Sequence, residues 1–81
     1  MDETTILHTI NDLVDEEHRL RSAAQSGQIT SEEERARLRV LEESLDQCWD
    51  LLRRRRAARA NRESPDDVEA RPISEVEGYL Q

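Results

Sequence analysis

Two histidines and a group of carboxylates near the amino terminus are the first residues whose spacing could do chemistry. His8 with Asp12 and Asp15 with His18 stand four and three residues apart, which puts each pair on one face of a helix, with Glu17 beside them. Metal-binding bundles use related spacings but repeat them on several helices. No histidine follows His18, so a metal site would need a symmetric partner. The same residues also read as an acidic, half-solvated helix face. No metal and no other cofactor is expected.

The second group is basic: Arg53, Arg54, Arg55 and Arg56, followed by Arg59 and Arg62. Such a run can neutralise a negative helix end and meet nearby acids, or it can bind a partner. No aromatic side chain interleaves it to stack a base, and an acidic segment follows that would compete with phosphate. The six arginines are therefore candidate contacts for a protein partner, with a nucleic-acid or transcription-complex accessory role as the alternative. Glutamine at positions 53–56 is expected to leave helicity nearly unchanged, because glutamine is also a good helix former.

Cys48 falls on an apolar stripe with no histidine near it in sequence, so it reads as a small buried residue with an inert thiol. There is no glycine-rich phosphate loop, no metal-binding cysteine pair and no serine, histidine and acid arrangement on a rigid scaffold. The expectation is that the chain is not an enzyme.

The elements that must carry these residues are helices. Charged residues are 38% of the 81, there is one tryptophan and one tyrosine, and glycine and proline occur twice each, which leaves little from which to build strands. All twelve basic residues are arginine, a hint of a GC-rich genome. The net charge of -7 divides into -4 over residues 1–30, +2 over 31–62 and -5 over 63–81. An overall field of this sign does not draw the chain to nucleic acid. One cysteine, no apolar leader and no long apolar run point to a cytoplasmic protein off the membrane.

Ile6, Ile10, Leu13, Leu20 and Ala24, with Glu17 between them, make a narrow seam that predicts a helix over residues 5–26. Asp2 or Thr4 can cap it and Gly27 can end it. Thr30 with Glu33 and Ser31 with Glu34 are overlapping capping boxes for a second helix over residues 31–60, with Leu38, Leu41, Leu45, Cys48 and Leu52 as its seam. The short connection forces an antiparallel, coiled-coil-like hairpin over residues 1–62. Pairing residues whose numbers sum to about 58 brings Leu20 to Leu38, Ile10 to Cys48 and Ile6 to Leu52. It also brings Asp2 and Glu3 to the arginine run. Glu17 then either reaches water at the seam's edge or meets Arg21 or Arg37.

Residues 63–81 read as an acidic, mostly irregular and partly flexible tail. Ile73, Val76, Tyr79 and Leu80 cluster behind a Ser74–Glu77 capping-box spacing, as in a short docking helix. A lone hairpin would leave Leu7, Val14, Val40, Trp49 and Leu51 largely wet. A core this small supplies only about 3–5 kcal/mol. A homodimer forming a four-helix bundle would cover those five side chains, and docking of the tail is the competing cover.

The stretches Glu16-Glu17-His18-Arg19-Leu20-Arg21, Leu45-Asp46-Gln47-Cys48-Trp49-Asp50-Leu51-Leu52-Arg53 and Val76-Glu77-Gly78-Tyr79-Leu80-Gln81 resemble the small actinobacterial family catalogued as domain of unknown function 2630. The resemblance covers nearly the whole chain. It implies an intracellular helical protein of high-GC bacteria and brings no activity, so it assigns no functional residue.

Overall fold

Asp2, in extended conformation, accepts the Thr5 amide at 2.7 Å and starts the first helix, α1, which spans Glu3–Gln25 in a computed structural model describing residues 2–80. Gly27 stops it: its φ of +79° lets Gln28 N–H donate to Ala23 O and Gly27 N–H to Ala24 O, the paired bonds that close a helix over a left-handed residue. Of the two possible capping boxes, the chain uses Thr30 with Glu33, and α2 runs Ser31–Ala60. It ends as α1 does. Arg62 takes φ +60°, Glu63 N–H donates to Ala58 O and Arg62 N–H to Arg59 O.

The helices form the expected antiparallel pair. Ile6, Ile10, Leu51 and Leu52 are buried together, with Leu45 and Cys48 against them, so the two seams meet in one core. Leu20 and Leu41 are buried nearer the connection. Leu51 departs from expectation: it is buried within the chain, in the cluster on which Val68 of the tail packs.

The tail makes one 3-10 turn at Pro65–Asp67 and then α3, Ile73–Leu80. Both lie against α2, which is thus packed on one side by α1 and on another by the returning chain. The Ser74–Glu77 box does not form the start of α3. The helix begins two residues earlier, with Glu75 and Val76 amides donating to Pro72 O. Val76 is 1% exposed, so α3 is docked; the side chains of Tyr79 and Leu80 lie outside the described residues.

Candidate interaction surfaces

The arginine end is largely turned to the molecule's own use. Arg56 donates to Glu3 at 2.8 and 3.0 Å and Arg59 reaches the same carboxylate at 3.3 Å, the pairing expected from the register. The Arg56 guanidinium holds the Glu3 carboxyl below its ordinary range. Arg55 was expected to face a partner but is 4% exposed. It points under the tail, donating to Pro65 O at 2.8 Å and to Asp66 at 3.3 Å. Arg54 donates to Glu69 O at 2.8 Å. Arg53 stays mostly exposed, 3.9 Å from Asp50, and Arg62 supplies the left-handed residue after α2. Replacing Arg54 and Arg55 is therefore a structural change, contrary to the expectation for a solvated helix end.

What anchors the tail is a residue that spacing alone did not single out. Asp50 is 1% exposed and takes both Nε and Nη2 of Arg71, with Arg54 at 3.6 Å. These hydrogen bonds and charges hold its carboxyl below the ordinary range, Arg71 above all, against the opposing effect of burial. Gln47 secures the same turn by donating to Arg71 O at 2.9 Å. The available signal was that Arg71 is the single basic residue of an acidic tail, which makes an acid on α2 its natural seat. Farther along, α3 brings Glu77 against Asp46, with Glu43 behind and Arg39 opposing; this contact and burial push the Glu77 carboxyl up.

His8, Asp12, Asp15 and His18 are all exposed. Among the described residues, no three histidine, cysteine or acidic side chains are placed to hold a metal ion. Glu17 sits at the edge of the seam and pairs with Arg21 at 3.4 Å rather than with Arg37. Cys48 is half-buried, and burial pushes its thiol up.

Exposed apolar groups fall on two sides of the hairpin. At about 100° per residue, Leu7 and Val14 flank the α1 seam on the side where Trp49 flanks that of α2. Leu7 and Val14 are each 37% exposed and Trp49 is 45% exposed. Val40, 62% exposed, lies on the other side, the side on which the tail covers Leu51 farther down the helix. There, near the connection, Leu20, Ala23, Ala36, Val40 and Leu41 line an open groove of about 580 Å³, rimmed by Glu16, Arg19 and Arg37.

A hairpin of two long helices with a short third helix packed on the second defines a small all-α protein, and no described helix is long and apolar enough to cross a membrane. The chain belongs to the family described as protein of unknown function DUF2630, whose model matches residues 2–81. It is 49% identical over 78 residues to the uncharacterized protein Mb0922c of Mycobacterium bovis, covering 96% of this chain and 88% of that one. The same identity and coverage relate it to the uncharacterized proteins MT0921.1 and Rv0898c of two Mycobacterium tuberculosis strains. No solved structure matches the chain.

Proposed function

We propose that the chain is a small, non-enzymatic helical interaction protein of the cytoplasm that acts by self-association and protein binding. The observation that supports this most is Trp49, 45% exposed on the same side of the hairpin as the exposed Leu7 and Val14. Tryptophan is over-represented among residues that anchor interfaces. The self-associating set is narrower than sequence spacing suggests, since Leu51 is already covered and Val40 belongs to the opposite side.

Sedimentation equilibrium at micromolar concentration is expected to give about twice the 9.4 kDa chain mass. Trp49→Glu is expected to return the mass to that of one chain, because the interface would bury an unpaired charge. Circular dichroism of that variant should keep its helicity, as Trp49 lies outside the intramolecular core. A single-chain mass across the whole range for the unaltered protein would refute self-association.

A further inference from the structure

We propose that the groove between α1 and α2 near their connection binds an acidic amphipathic helix of a protein partner; this rests on the reading of the chain as a protein-binding module. The argument begins with a repeat along one face of α2. Arg37 and Arg55 are 18 residues apart, about five full turns, and Val40 and Leu51 are 11 apart, about three turns. Each arginine therefore stands on the same helix face as the other, and so does each aliphatic residue.

At the open end this face is occupied. Val68 packs on the cluster containing Leu51, while Arg55 holds Pro65 O and Asp66, all within a segment, residues 63–81, of net charge -5. The molecule thus shows what this combination of residues accepts: an apolar side chain from a short acidic segment, with arginine gripping its oxygens.

Near the connection the same combination has no occupant among the described residues. Val40 is 62% exposed above the buried floor formed by Leu20 and Leu41. Among the described residues four arginines make no ion pair, Arg19, Arg35, Arg37 and Arg62, and two of them, Arg19 and Arg37, stand together on the rim of this one groove. It is the placement of two unmatched arginines beside exposed apolar side chains that marks this groove as a place for outside negative charge. Ala23 and Ala36 keep the walls low enough for a helix to approach closely. Glu16 on the same rim leaves an excess of one positive charge, so apolar contact supplies most of the affinity and the arginines supply selectivity.

The test uses the full-length protein and two fluorescein-labelled synthetic helices with the same leucine stripe, one flanked by glutamates and the other by lysines. Fluorescence anisotropy should show saturable, salt-weakened binding of the glutamate helix alone. The pair Arg19→Gln and Arg37→Gln should weaken it about tenfold, the scale of two exposed ion pairs. Val40→Glu should weaken it further, and Trp49→Glu should leave it unchanged. All these positions are exposed, so circular dichroism should report folded variants. Equal binding of both helices, no binding up to about 1 mM, or indifference to the arginine changes would overturn the proposal. So would saturable binding of sodium laurate in place of the helix, which would make the groove a lipid site. A loss of dimer mass caused by Val40→Glu would overturn it too, by assigning the groove to a second copy. Failure of the Trp49 test with peptide binding intact would instead refute self-association alone.

Discussion

The two ends of the hairpin present the same side-chain types on the same face of α2 and put them to different uses. At the open end Arg55 is buried under the tail and Leu51 is buried in the cluster on which Val68 packs. Near the connection Arg37 and Val40 face solvent across the groove. The residues do not differ in kind; what differs is whether the chain comes back over them. A run of arginines in a sequence therefore says little about binding until the path of the following segment is known. Here three of the four arginines in the conspicuous run from Arg53 to Arg56 bond the chain's own residues, whereas the inconspicuous Arg19 and Arg37 stand unpaired on the rim of an apolar groove.

The largest effect that would break this contrast is removal of the tail's anchor. Arg71→Gln leaves Asp50 buried without its main partner, and stranding a buried carboxylate costs about 3 kcal/mol or more. The Asp50 carboxylate can draw on Arg54 and Arg53, so the lower figure is expected. Loss of amide protection at Val76 with α1 and α2 still protected would show that the tail had left while the hairpin stayed. Leu51 would then be exposed, making the open end resemble the groove end. Unchanged protection at Val76 would mean that the apolar contacts alone hold the tail.

Much of this was legible in the sequence because it is local or periodic. The caps at Asp2 and Thr30, the stop at Gly27 and the seam from Ile6 to Leu52 follow from spacing and backbone chemistry, and the structure keeps all of them. The seat of the tail did not follow, since the contacts of Arg71 with Asp50 and of Val68 with the core join segments whose periodicities are unrelated. The flank position of Leu51 looked like Val40 for the same reason: helical spacing gives the face and not the cover. Fates of individual arginines were likewise set by long-range partners such as Glu3, Pro65 and Asp66.

A smaller effect concerns how firmly the covered end stays covered. Glu77 is held above its ordinary value of 4.5 chiefly by its contact with Asp46, then by burial and by Glu43. The docked tail thus binds protons more readily than a released one, and this contribution is complete below that value and fades as pH rises through the docked one. Asp50 acts in the opposite sense. Its carboxyl is held below 3.8 chiefly by Arg71, so its contribution is in place above that value and is lost as pH falls through its depressed one. Docking is therefore strongest in mild acid. Glu77→Gln should raise the protection factor of the Val76 amide at pH 7 and leave it little changed near pH 4. Equal gains at both values would show that repulsion from Asp46 does not govern α3.

The smallest expected effect compares the two helix stops. Both use the same paired hydrogen bonds over a left-handed residue, but Gly27 occupies that position at one end and Arg62 at the other. No atom lies within 4 Å of where a Cβ on Gly27 would stand, so Gly27→Ala meets only the backbone cost of the left-handed region. That is about 1 kcal/mol, or a fall of about 4–8 °C in Tm for a domain of this size. Arg62 already bears this cost, and Arg62→Gly should recover part of it, about 0.5 kcal/mol after the added chain entropy of glycine in the unfolded state. Thermal melts of the two variants should therefore shift in opposite directions. If Arg62→Gly lowers Tm instead, the Arg62 side chain contributes more to holding the tail's first turn than its strained backbone costs, and the covered end is fastened at one more point than the contacts of Arg54, Arg55 and Arg71 account for.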